Sequence, residues 1–226
     1  RARCRCQGGA LSTEAAFIEA LRALAPHPAA RGLADDCAVL EIGGEALVLT
    51  HAAMADGVHY LPEQDPADVA WKLVATNLSD LAAKGAEPLG LLLGYRFGGD
   101  DARFLVGLRE VLEHYRVPLL GGDTIGGAGS QVLGLTALGR ATHRPVPGRS
   151  GARPGDSLYV TGPLGAAMMG FEALKSGLGD SSAYRRPAAL LSQGRALAPL
   201  VTAMMDVSDG LLIDAARMAD ASGLTF

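Results

Sequence analysis

The chain has 226 residues with 20 Lys+Arg against 24 Asp+Glu, a net charge of −4, so it carries no basic footprint for nucleic acid or an anionic membrane. Hydrophobic residues at 49% and charged residues at 19% exclude a disordered chain, and aromatics at 5% are too few for base-stacking platforms. The 30 glycines and 12 prolines, without a collagen period, predict a turn-rich globular protein. Arg1–Ala10 lacks an initiator Met and an apolar signal core, reads as a fragment or imperfect start, and is set aside. Ser12 caps a first helix with Phe17, Leu21 and Leu24 at helical spacing, stopped by Pro26. Ala38–Ile42 and Ala46–Thr50, joined by Gly43-Gly44-Glu45, read as a hairpin. Asp65-Pro66 opens a helix running to Lys84 and closing on Gly85. Leu89–Phe97 reads as a strand, Phe104 to Tyr115 as a helix, and Val117–Leu120 and Val132–Leu138 as further strands.

Arg144–Pro154, rich in Pro, Gly and Arg, is the best boundary, dividing the chain into 11–148 and 149–226. Beyond it Leu158–Val160 reads as a strand, Leu164–Lys175 and Ala188–Leu200 as helices, and Gly210–Ala221 as a last helix capped by Gly223. Leu224-Thr225-Phe226 looks like the start of a strand, as if the chain were cut inside its second unit. The expected fold is α/β (α+β): a mostly antiparallel sheet with helices on one face, then a second α/β domain truncated at its C-terminus. Cys4, Cys6 and Cys37 offer neither a disulfide framework nor zinc spacing. With no apolar run long enough for a membrane span, the cytoplasm is the expected location.

Chemistry is concentrated in aspartates at the ends of elements. Asp35-Asp36 precedes the first strand, Asp123 follows Leu119-Leu120-Gly121-Gly122, and Asp206 and Asp209 bracket Val207-Ser208. Each alone is an ordinary cap or turn residue. Asp80 resists that reading, because it lies in an apolar helix three residues after Asn77, where an unpaired carboxylate is costly to bury. A shared Mg²⁺ explains several of them at once; paired carboxylates also serve acid–base hydrolysis of a sugar. The neighbouring glycines suit close backbone approach to phosphate better than to a sugar ring.

Asp35–Gly223 resembles the thiamine-monophosphate kinase family, in the superfamily of aminoimidazole-ribonucleotide synthetase and selenophosphate synthetase. The resemblance rests on Asp35-Asp36-Cys37-Ala38, Gly57-Val58-His59-Tyr60, Asn77-Leu78-Ser79-Asp80-Leu81-Ala82-Ala83-Lys84-Gly85-Ala86 and Gly121-Gly122-Asp123-Thr124. Arg149-Ser150-Gly151-Ala152-Arg153-Pro154-Gly155-Asp156 and Asp206-Val207-Ser208-Asp209-Gly210 complete it. It implies transfer of the γ-phosphoryl group of ATP to thiamine monophosphate, a homodimer formed through the first units, and no nucleic-acid or membrane partner. By the same resemblance Asp36, Thr50, Asp80, Asp123, Asp206 and Asp209 are magnesium positions, and a monovalent cation is left open. Gly122, Asp123, Arg149 and Ser208 become ATP contacts, His59 a contact to the thiamine phosphate, and Asp80, Asp123 and Arg149 the catalytic set. The acceptor phosphate is largely ionised near neutral pH, so no base is required and charge neutralisation carries the reaction.

Two departures stand out. Ala52 occupies the place of a metal aspartate, with Asp56 the alternative ligand from the following loop, and the family's C-terminal glycine-rich acidic motif is missing. A sister ATP-using synthetase and a non-catalytic nucleotide-binding remnant are the alternative expectations.

Overall fold

The computed structural model describes residues 13–225. Ser12 and Phe226 lie outside them, as do Cys4 and Cys6. The first helix, α1 (Glu14–Arg22), is capped by the Thr13 side chain, which accepts from Ala16 N.

Strands β1 (Ala38–Ile42) and β2 (Glu45–Ala55) form the expected hairpin, with positive φ at both Gly43 and Gly44 as its turn requires. Helix α2 (Pro66–Ala82) starts from an Asp65 side-chain cap with Pro66 in its first turn. Strand β3 (Ala86–Arg96) and helix α3 (Asp101–Tyr115) follow, then β4 (Leu119–Ile125) and β5 (Val132–Ala141).

The five strands run in the order β1-β2-β5-β3-β4, antiparallel except for the parallel β3–β4 pair. β4 corrects one expectation: Gly121-Gly122-Asp123 lies inside the strand, not after it. Parallel pairing with β3 extends the strand, and it demands glycine, because a Cβ on Gly122 would sit 1.9 Å from Leu93 O.

Helices α2 and α3 cover one face of the sheet. Val48, Leu91, Leu93, Leu133 and Leu135 point to that side and pack with Leu73, Val74, Leu78, Leu81, Phe104 and Leu108. The alternation of strand side chains sends His51, Leu92 and Thr136 to the opposite, open face. Leu92 is 47% exposed there, beside Leu120, whose side chain lies over Gly90.

After β5 the described residues form helices α4 (Ala166–Ser176), α5 (Ser182–Arg185), α6 (Leu191–Leu197) and α7 (Leu211–Ala221). Leu158–Val160 is not a strand but an irregular, exposed segment. An apolar triplet has β propensity, but a ladder needs a partner, and no described strand runs beside it. Leu224 and Thr225 are likewise irregular. α6 anchors this unit to the first: Gly194 packs so closely on α2 that a Cβ would lie 2.0 Å from Ala82 O.

Candidate active site

The site is built where the chain enters β1, where α2 ends and where the second unit begins. Lys84, fully buried, places Nζ 2.6 Å from Asp35 and 2.6 Å from Asp36, and also donates to Met204 O. Arg149 reaches Asp36 Oδ1 through Nε at 2.7 Å and Nη2 at 2.5 Å. Arg31 pairs with Asp35 and donates to Val146 O and Pro147 O. Burial opposes the charge on Asp35, but these cations, Lys84 foremost, outweigh it and lower its carboxyl below the usual value.

Thr50, from the middle of β2, donates to Asp80 Oδ2 at 2.6 Å. Burial pushes the Asp80 carboxyl up to about 6, with Asp36 adding to the rise and Thr50 opposing it. Asp206 is pushed to about 7, first by burial and then by the charges of Asp80 and Asp36. Cys37 is buried, with Sγ 3.6 Å from Asp80 O, and its thiol is raised well above the ordinary value by burial. Asp36, Thr50, Asp80, Asp206 and Arg149 thus converge. Among the described residues no group of three or more His, Cys, Asp or Glu side chains is arranged to hold a metal ion. Both Asp36 oxygens are already engaged by cations.

The remaining sequence candidates stand elsewhere. Asp123 is exposed on β4, in register with Gly94, and accepts from Thr124 N; Gly122 precedes it against β3. That register puts Asp123 on the open face, away from the Thr50 side of the sheet. His59 lies in the loop after β2, its Nδ1 accepting from Ala55 N at 3.0 Å while Lys72 Nζ holds its carbonyl at 2.8 Å. Ser208 and Asp209 precede α7, and Asp209 pairs with Arg217. Asp56 does not approach Thr50; it lines a separate cavity at the end of β2.

Two residues that shape these loops were missed in the sequence. Asp214, 1% exposed, accepts from the backbone N–H groups of Ser208, Asp209 and Gly210 through one oxygen and so folds the loop before α7. An acid four residues past Gly210, in the first turn of a helix, was the available signal. Lys84 was read only as a helix end; a cation closing an apolar helix, in a chain that also carries an Asp-Asp pair, was its signal.

Residues 34–141 match the family model for the AIR synthase related protein N-terminal domain, and residues 153–226 that for the C-terminal domain. The chain is 38% identical over 208 residues to the thiamine-monophosphate kinase of Escherichia coli K12, covering 84% of this chain and 62% of that protein. With the enzyme of Caulobacter vibrioides it shares 42% identity over 207 residues, covering 87% and 59%. It therefore spans about three fifths of the length of these relatives. The solved structure of AaThiL complexed with AMPPCP and TMP matches 93% of this chain with a TM-score of 0.84 at 28% identity, covering 70% of that chain. Thiamine-monophosphate kinase from Stenotrophomonas maltophilia matches 92%, with a TM-score of 0.72 and 32% identity over 70% of its own chain.

Proposed function

The chain belongs to the thiamine-monophosphate kinase family, and from that premise we propose that the whole protein phosphorylates thiamine monophosphate with ATP, giving thiamine diphosphate. The observation that carries the reading is the convergence of Asp36, Thr50, Asp80 and Asp206 with Arg149, where the first unit (11–148) meets the second (149–226). The likeness to a structure holding an ATP analogue and TMP supports it.

In kind, though not in their present arrangement, the donors suit magnesium. They are hard oxygens, and burial, followed by the charges of Asp80 and Asp36, raises the Asp206 carboxyl, which a cation would offset. Asp36, Asp80 and Asp206, with Thr50, would hold the ion; Mg²⁺ supplies neutralisation of the phosphate charges. Thr50 orients Asp80 through its hydroxyl, and the Arg149 guanidinium is placed at the unit boundary to engage phosphate oxygens. Ser208 and Asp209 offer a loop held in shape by Asp214, and Asp209 is a further cation position. Asp123 with Gly122, on the open sheet face, and His59 complete the site when the substrates and a second subunit close on it. We place the protein in the cytoplasm as a homodimer pairing its open sheet faces; among the described residues no helix is long and apolar enough to cross a membrane.

The test is Asp80→Asn in the full-length protein. Calorimetry should find an unchanged fold and melting temperature but no Mg²⁺-dependent binding of a non-hydrolysable ATP analogue, and no ATP consumption dependent on thiamine monophosphate. Parental affinity for the Mg-nucleotide in that variant would assign Asp80 a structural role. Nucleotide binding by the parent without turnover would favour the remnant reading that Ala52 raises.

A further inference from the structure

Three elements meet at one carbonyl oxygen, that of His59 in the loop after β2. Lys72, from α2, donates to it through Nζ at 2.8 Å, and the Tyr184 hydroxyl of α5 stands 3.5 Å away. The same ammonium lies 3.7 Å from the centre of the Tyr184 ring. Both partners are uncharged, and burial lowers Lys72 to about 8, so a cation is kept here at a cost.

The second unit is fastened to α2 around this point. Arg185 and Arg186 each pair at 2.5 Å with Asp68, which is 1% exposed. Trp71 Nε1 donates to Pro187 O at 3.0 Å, and Ala189 N donates to the Tyr115 hydroxyl oxygen at 2.8 Å. α4 backs Tyr184 closely: a Cβ on Gly170 would lie 3.0 Å from Tyr184 N, and the Phe171 and Tyr184 ring centres are 5.1 Å apart. Tyr184 is therefore a fixed wall, and Lys72 is held between that wall and the loop.

The His59 ring is anchored from the other side. Its Nδ1 accepts from Ala55 N at 3.0 Å, which leaves the proton of the neutral imidazole on Nε2. The residue is exposed, so that N–H is open to an oxyanion. Gly57 N donating to Tyr60 O, with Val58 N and His59 N donating to Ala55 O, keeps the turn itself in shape. Among the described residues the carbonyl of His59 is held by Lys72 and Tyr184.

We propose that Lys72, braced by Tyr184, is a positioning residue: it sets the His59 loop so that Nε2–H meets the acceptor phosphate, and it ties that loop to the second unit. The proposal deepens the kinase reading and rests on it. Methionine at position 72 would keep an apolar stem against Tyr184 and remove only the donor, so the turn should survive while the direction of His59 is lost.

The test uses the full-length protein with isotopically labelled histidine, read by nitrogen NMR. Lys72→Met should displace the His59 ring signals while those of His143, beyond β5, stay in place. It should also raise KM for thiamine monophosphate about tenfold. Calorimetric affinity for a non-hydrolysable Mg-ATP analogue should not change, whereas a general loosening of the fold would weaken both. Lys72→Arg, which restores a cationic donor beside the Tyr184 ring, should recover most of the loss. Unmoved His59 signals in Lys72→Met, equal weakening of both substrates, or no recovery in Lys72→Arg would overturn the proposal. A parent that consumes no ATP in response to thiamine monophosphate would instead overturn the kinase reading, and the ring signals would still decide whether Lys72 sets His59. If Lys72→Met does not fold, the unaltered chain decides. Thiamine monophosphate should then shift both the His59 Nε2 and the Lys72 ammonium resonances, and an unmoved Lys72 would overturn the proposal.

Discussion

Burying an ammonium group without counter-charge is prohibitive, and Lys84 meets that demand by sitting between Asp35 and Asp36, themselves held by Arg31 and Arg149. The same economy is missing at Ala52, which shares the Thr50 face of β2 and donates its N–H to Asn77 Oδ1. A carboxylate there would add a hard oxygen donor beside Thr50. In the full-length protein Ala52→Asp should therefore raise single-turnover phosphoryl transfer, by up to ~10²–10³-fold if the position belongs to the metal site. Unchanged or slower turnover would remove it from that site. Lys72 carries a cost of a different kind. Burial lowers its ammonium from 10.5 to about 8, although Nζ donates to His59 O and lies 3.7 Å from the centre of the Tyr184 ring. Below pH 8 both folded and unfolded chains hold the proton and the penalty is fully present. Between pH 8 and 10.5 the unfolded chain binds more protons, so the penalty fades and this contribution to stability rises with pH. Lys72→Met should accordingly show its most favourable melting temperature relative to the parent at pH 7, with the difference falling toward pH 10. A difference independent of pH would refute this titration.

Among the elements, α2 organises both units. Its apolar side fills the sheet's covered face, its C-terminal end supplies Asp80, and its flanks receive α3 and α6. The α3 contact is close because Gly107 has no side chain: a Cβ there would lie 2.1 Å from Ala67 O, a backbone atom that cannot give way without moving the helix. Gly107→Ala should destabilise the chain by about 1–3 kcal/mol in denaturant titration. Gly126→Ala, where a Cβ meets nothing within 4 Å, should not. Equal effects would deny α2–α3 packing its role. The periodicity of α2 and α3 and the hairpin turn were plain in the sequence. β4 was not, because a glycine pair inside a strand mimics a strand end until the neighbour that demands it is known.

For the whole molecule, the open sheet face is the outstanding feature. Leu92, on β3, and Leu120, on the edge strand β4, lie exposed on it, opposite the face that α2 and α3 cover. If two copies pair these faces, Leu92→Arg should convert the full-length protein from a dimer to a folded monomer by sedimentation, with its circular dichroism retained. A monomeric parent would end the dimer reading. Pairing would also bring Asp123, on that face, next to a partner surface.

The sequence by itself determined the local elements and the residue types of the site. Strand alternation, helical spacing and caps are short-range properties, and the aspartate motifs are contiguous in the chain. Only the tertiary structure decided which aspartates meet. Asp36, Asp80 and Asp206 come from three distant segments, and their coupling depends on how β1, α2 and the second unit pack. Asp123 was separated from them by strand register alone, since one residue's difference along a strand changes the face on which a side chain lies. The unpaired buried atoms of Asp56, Gln64 and Arg96 were likewise illegible, because an orphaned polar group is defined by the partners that folding fails to bring to it.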